Sequence, residues 1–387
     1  MKQINAQYSR IQYKKIKDLF FKKQIIIIYG ARQVGKSTLS KLILKDFEES
    51  EVLFLSCDDV LVRSKLENVN TQQLMSLVIG KKVVVIDEAQ MVENIGTTLK
   101  LLADNIQDDV QIIATGSSSF DLANKINEPL TGRNLKFFLY PLSLSEISNQ
   151  MDKINIQKNL NNFMLYGMYP SIVTEENIQN KILFLQNLTE DYLFKDILNY
   201  DKVKNTNVIK KLTLLIALRV GSEISYPDLA VNLGVSRDTV AKYVDILEQA
   251  FIIFRLKPFY TNKEKEINKT HKIYFYDTGI RNALLGNFDD LNLRSDTGAI
   301  FENFLIAEYY KKHNYSNNLS ELNFWKSYGG GEIDLVESFK QGQQIKAFEC
   351  KYTDRRIKVS KAWQDKYPHA EVKVISKDNI VDFFLNK

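Results

Sequence analysis

The sequence predicts an α/β protein in three parts: an open parallel sheet, then a helical and winged-helix region, then a second α/β unit. Three observations carry this expectation. Short β-branched runs alternate with helical patterns through residue 142, a helix, tight turn and helix follow residue 223, and strand-like runs return after residue 263.

The chain has 387 residues, too many for one ordinary core, so two or three domains are expected. Apolar residues make up 44% and charged residues 26%, the balance of a globular protein and not of a disordered one. Lysine and arginine total 52 against 47 acidic residues, and the net charge of +5 is compatible with a nucleic-acid partner without requiring one. Cys57 and Cys350 are the only cysteines and lack zinc spacing, so they read as unpaired thiols in a reducing compartment, which points to the cytoplasm. The apolar run Ile25 to Tyr29 is far below the ~20 residues that span a bilayer, and no membrane role is expected.

Taken in order, QIIIIYG reads as a buried strand, because a continuous β-branched run ending in glycine suits a sheet covered on both faces. A helix from about Lys36 to Phe47 follows directly. EVLFLSCDD, KKVVVIDEA, DVQIIATGS and LKFFLYPLS supply four further strands. From Ser143 to Arg219 the pattern turns helical, as in NLNNFMLYGMY and KILFLQNLTEDYLFKDILNY, and reads as a lid or connector. In YPDLAVNLGVSRDTVAKYVDILEQAFIIFRLKPFY, Gly234 marks the turn between two helices, Ser236 can cap the second, and a β-hairpin follows. HKIYFYD, ELNFWKS, GEIDLVES, QIKAFECKY and EVKVIS are the strands of the last part, with a helix around AIFENFLIAEYYKK.

GARQVGKS fits the pattern G-x-x-x-x-G-K-[ST] between a strand and a helix, the context that makes it a phosphate-binding P-loop. Gly30 and Gly35 let the loop curl so that its backbone N–H groups face phosphate oxygens, with Gly30, Ala31, Arg32, Gln33, Val34, Gly35, Lys36, Ser37 and Thr38 as the expected nucleotide-binding residues. Lys36 is expected to bridge the β and γ phosphates of ATP, and Ser37 to ligate Mg2+. VVVIDEAQ delivers Asp87 and Glu88 at the carboxyl end of a strand, Asp87 for the metal and Glu88 as general base on the attacking water. Thr115 or Ser117, ending the next strand, could hydrogen-bond the γ phosphate or that water. Arg133 in LTGR has two open readings, an arginine finger acting in cis or across a subunit boundary, or a surface ion pair.

With GARQVGKS, VVVIDEAQ, ATGSSS, LTGR, YPLSLSE and YGMYPSIV in this order, the chain resembles the prokaryotic AAA+ ATPases that carry a C-terminal domain of unknown function. The resemblance covers nearly the whole chain. It implies an AAA+ P-loop NTPase domain over residues 1–142, a helical connector over 143–222, a winged helix over 223–262 and a restriction-endonuclease-like α/β domain over 263–387.

Two weaker sites follow. The second winged-helix helix could present Arg237, Thr239 and Lys242 to DNA, although Asp238 weakens that reading, and packing modules of this shape are equally common. In the last part, Glu302, Asp334, Glu349 and Lys351 resemble the D…E-x-K core of restriction-like nucleases. Asp334 and Glu349 could chelate a second Mg2+ or a Mn2+, Glu302 could complete its shell, and Lys351 could position water. A nuclease fold that has lost its activity is the alternative. The basic stretches TNKEKEINKTHK and KYTDRRIKVSK could contact phosphate, with solvated faces as the default. The function classes left open are an ATPase acting on DNA, alone or as a homo-oligomer, and a regulatory ATPase whose terminal domains bind protein partners. A metabolic kinase ranks below both, because Glu88 fits a hydrolytic base.

Overall fold

The computed structural model describes residues 8–117, 130–190, 205–259, 270–327, 329–339, 342–353 and 359–386. Residues 261–269 of the basic stretch 261–272, part of the stretch at 351–361 and the end of the helical run at 191–204 lie outside the described residues, whereas Lys272, at the end of the first stretch, is buried. The chain divides into two units, Ser9–Pro141 with Gln249–Phe251, and Leu142–Glu248 with Ile252–Lys387.

The first unit is built around β1 (Ile25–Tyr29), buried at every position. Four consecutive isoleucines leave no polar face, so the strand is stable only with neighbours on both edges and helices on both sides. Each buried isoleucine contributes roughly 1.5–3 kcal/mol. Its partners are β4 (Gln111–Gly116) and β5 (Asn134–Phe138), and β3 (Val83–Asp87) and β2 (Val52–Ser56) extend the sheet in the order β2-β3-β4-β1-β5. Every described pairing in it is parallel, as the alternation of strands and helices predicts. The helices are α1 (Ile11–Lys17), α2 (Lys36–Leu44), α3 (Val60–Ser64), α4 (Thr71–Val78) and α5 (Ile95–Asn105). α2 ends three residues short of the expected Phe47. Asn70 and Gln73 close a capping box at the start of α4, fixing where that helix begins.

The second unit opens with helices α6 (Leu144–Ile147), α7 (Lys153–Tyr166), α8 (Pro170–Thr174), α9 (Ile178–Glu190) and α10 (Thr206–Leu218). The winged helix then runs β6 (Glu223–Ile224), α11 (Tyr226–Leu233), α12 (Arg237–Gln249), β7 (Ile253–Pro258) and β8 (His271–Phe275). Gly234 ends α11 in the left-handed region, and the Ser236 hydroxyl accepts from the Thr239 amide at 3.1 Å, the cap its position predicts. After α13 (Thr278–Leu285) and α14 (Thr297–Tyr315) come β9 (Glu321–Lys326), β10 (Glu332–Phe339), β11 (Gln344–Lys351), α15 (Lys361–Lys366), β12 (Val372–Ser376) and α16 (Ile380–Leu385).

These strands form one seven-stranded mixed sheet in the order β12-β11-β10-β9-β7-β8-β6. β7 pairs antiparallel with β8 on one edge and parallel with β9 on the other. The sheet therefore runs through the boundary expected at residue 262, because the wing of the helix-turn-helix also serves as a central strand of the last part. Strand patterning shows that both runs are extended, but it carries no information on which edges meet. Under α15, Trp363 packs with Phe259, Trp325, Ile333, Val336 and Tyr367, and its indole N–H donates to the Ala370 carbonyl at 3.1 Å. Asp277 ties α13 to the turn after α7: it accepts from the amides of Gly279 at 2.9 Å and Met168 at 2.7 Å. A β-carbon at Gly167 would lie 1.9 Å from an Asp277 oxygen, which explains the glycine of YGMYPSIV.

Candidate active site

The loop of residues 30–35 leaves the carboxyl end of β1 and enters α2 at Lys36. Gly30 is required by close approach, since a β-carbon there would lie 2.2 Å from the Leu139 carbonyl oxygen. Gly35 caps α2 with φ +98°, a conformation that L side chains rarely adopt. Ala31 and Val34 are buried, Arg32, Gln33 and Thr38 are exposed, and Ser37 is half-buried in the first turn of the helix. The α2 N-terminus adds its positive end to the loop.

The Lys36 side chain is 4% exposed, and its ammonium donates to the carbonyls of Gly30 and Ala31, both at 3.0 Å. It also lies 3.7 Å from a Glu88 oxygen. Burial pushes this ammonium below its ordinary range, an effect that Glu88 and Asp87 oppose. Asp87 ends β3, and its Oδ1 accepts from the Thr115 hydroxyl at 2.6 Å. The same hydroxyl oxygen accepts from the Glu88 amide at 3.0 Å. Because β4 lies between β1 and β3, Thr115 stands between the loop and the acidic pair and ties the two strand ends together.

Glu88 has φ +52°, an uncommon left-handed conformation for a residue with a side chain, of the kind retained where a fold needs a particular aim. Gln90 then fixes the carboxylate: its side-chain amide donates to Glu88 and, at 2.9 Å, to the Ser117 hydroxyl. Gln90 stands inside the quoted VVVIDEAQ, but its residue type alone signals no role. Arg10 was equally silent in the sequence. Buried behind the loop, its guanidinium donates to the Val34 carbonyl at 2.6 Å and to that of Tyr140 at 2.5 Å.

Arg133 is not brought to this site. It precedes β5, where its carbonyl accepts from the Ile25 amide at 2.9 Å, and Ile25 is the far end of β1 from the loop. Five residues of strand put roughly 13 Å between those ends. Its guanidinium pairs with Asp104 at 2.6 Å, so the finger role in cis is replaced by a half-exposed ion pair.

In the second unit, Arg237 and Lys242 are exposed on α12 beside exposed Asp238, while the half-buried Thr239 hydroxyl is 2.9 Å from that of Ser236. The expected nuclease residues do come together: Glu302 on α14, Asp334 on β10, and Glu349 and Lys351 on β11. They do not form a metal shell. Among the described residues no group of three or more His, Cys, Asp or Glu side chains is placed to hold a metal ion. Lys272 of β8 stands among the acids, 3.2 Å from Glu302 and 3.9 Å from Asp334 and in contact with Glu332. Tyr274 donates to Glu302 at 2.7 Å, the Cys350 amide donates to Asp334 at 2.8 Å, and Lys351 pairs with Glu349 at 2.9 Å. Burial pushes the Glu302 carboxyl up to about 7, against Lys272 and reinforced by Asp334. Burial, then Asp334, raises Glu349.

Residues 22–148, which span the loop, the acidic pair, Thr115 and Ser117, match the AAA domain family. The chain carries an AAA domain. Behind this AAA domain, residues 157–291 match a domain of unknown function (DUF8612) and residues 297–384 another (DUF4143). An uncharacterized protein of Methanocaldococcus jannaschii is 26% identical over 385 residues, covering 91% of this chain and 84% of the relative. One of Mycobacterium tuberculosis is 25% identical over 314 residues, covering 80% and 67%. Among solved structures, the Walker-type ATPase of Pyrococcus abyssi aligns with TM-score 0.51 at 14% identity, over 73% of this chain and 97% of that one. That likeness shows a shared fold. Cys57 and Cys350 are both free and buried, and no helix among the described residues is long and apolar enough to cross a membrane.

Proposed function

We propose that the AAA domain binds ATP with Mg2+ and hydrolyses it, and that the cycle is coupled to action on DNA through the winged helix and the C-terminal domain. The observation that carries the hydrolytic reading is the junction of Lys36, Asp87, Glu88 and Thr115 at the carboxyl ends of three adjacent strands, the edge where open α/β sheets take their ligands.

Each residue then has a role that its geometry suits. Loop amides cradle the phosphates, and Lys36 exchanges the carbonyls of Gly30 and Ala31 for β and γ phosphate oxygens. Ser37 and Asp87 would hold Mg2+, a hydroxyl and a carboxylate being the hard oxygen donors that this ion takes. When bound, the ion supplies charge neutralisation on the phosphates. Glu88, steadied by Gln90, takes a proton from the attacking water, and Thr115 keeps both acids in register. Arg237 and Lys242 are the exposed cations that would meet a DNA backbone.

Phosphate release at saturating Mg-ATP, together with gel shifts in each nucleotide state, tests the proposal. Wild type should release phosphate and shift DNA, and Lys36→Ala should abolish the release. No DNA affinity in any nucleotide state at low salt would remove the DNA half of the reading. A second reading, a regulatory ATPase whose terminal domains bind protein partners, is favoured by one observation: Lys272 stands among the acids that a nuclease would give to its metal.

A further inference from the structure

We infer that Lys272 is the resident cation of the C-terminal acidic cluster: its ammonium stands where a D…E-x-K nuclease holds its divalent metal, so the chain as folded takes no metal there. The geometry is the argument. Glu302, Glu332 and Asp334 come from one helix and one strand and converge on a single ammonium that is 2% exposed. A divalent ion binds carboxylate oxygens at roughly 2.0–2.6 Å, and it cannot share those of Glu302 and Glu332 with an ammonium at hydrogen-bond distance, nor settle on an Asp334 oxygen 3.9 Å from that ammonium, without strong like-charge repulsion.

These acids carry further partners as well. The second Asp334 oxygen accepts from the Cys350 amide, Glu302 accepts from Tyr274, and Glu349 is held by Lys351. Nor can Lys272 drift away as a surface lysine would, because its stem is sealed into β8 with its ammonium over the Phe324 ring at 5.6 Å. The cluster retains the acids of a metal site and neutralises them from within. This inference does not depend on ATP hydrolysis.

Mn2+ alone, titrated without nucleotide into the full chain and read by electron paramagnetic resonance, tests it on wild type, D334N, K272M and K272M/D334N. Any uptake at Ser37 and Asp87 is common to all four and cancels. Wild type and D334N should take up Mn2+ equally, while K272M should gain one site per chain, at least about tenfold tighter than any C-terminal site of wild type, that K272M/D334N loses. Mn2+ should also raise the melting temperature of K272M by more than that of the other three proteins. A wild-type Mn2+ site that D334N removes would overturn the inference, as would a folded K272M that gains none. Should K272M fail to fold, the comparison of wild type with D334N decides alone.

Discussion

Replacing Arg10 by alanine removes a side chain that lies outside the nucleotide loop and yet should damage it. Its guanidinium donates to Val34 within the loop and to Tyr140 just beyond β5, and both bonds are buried. Hydrogen bonds to a charged group are worth roughly 1.5–3 kcal/mol each, so the pair is worth about 3–6 kcal/mol. Part of that loss is regained if water reaches the carbonyls, which makes about 3 kcal/mol the expected figure. Because the chain has two units, a single melt would not report it cleanly, and hydrogen exchange on peptides spanning residues 25–44 is the appropriate assay. Arg10→Ala should raise exchange there about a hundredfold and weaken ATP affinity about tenfold, as a loosened loop no longer presents its amides together. Arg10→Lys keeps the charge but loses the fork, and should fall between the two. Exchange in Arg10→Ala within about twofold of wild type, with unchanged ATP affinity, would refute the supporting role.

Thr115→Val deletes the hydroxyl that links Asp87 to the Glu88 amide, and should cut phosphate release about tenfold or more with about 1–3 kcal/mol lost in stability, read by steady-state kinetics and exchange in parallel. Gly167→Ala forces a methyl onto Asp277, and should destabilise the second unit by about 3 kcal/mol or more, visible as loss of the Trp325 and Trp363 fluorescence transition. His271 is held down to about 4, by burial and then by Arg255 and Lys257, so folding keeps it neutral. A depressed pKa contributes stability that is present above the unfolded value near 6.5 and is lost as pH falls through about 4. His271→Phe retains the stack on Tyr226, and should flatten the acid limb of the second unit's melting temperature between pH 6.5 and 4 relative to wild type.

What could be read from the sequence was local. The run of isoleucines, the glycines of the loop and the acids ending β3 act within a few residues of each other, and the parallel sheet followed from their alternation with helices. What could not be read depended on contacts between distant segments. Arg10 reaches carbonyls 24 and 130 residues away, and Lys272 meets acids 30 and more residues later, with nothing in its own neighbourhood to announce it. Arg133 was legible as a basic residue near a strand, but not as one at the wrong end of it. The nuclease-like acids were found as a set; their company was not.

The central claim is that the Gly30–Ser37 loop and the Asp87–Glu88 pair form one ATP-hydrolysing centre. Single-turnover phosphate release from Mg-ATP by wild type and Glu88→Gln, with binding measured by calorimetry on the same preparations, tests it most directly. Both proteins should bind ATP within a few-fold of each other, while Glu88→Gln should release phosphate at least about a hundredfold more slowly. Equal release by the two proteins, or no uptake of Mg-ATP by folded wild type, would contradict it.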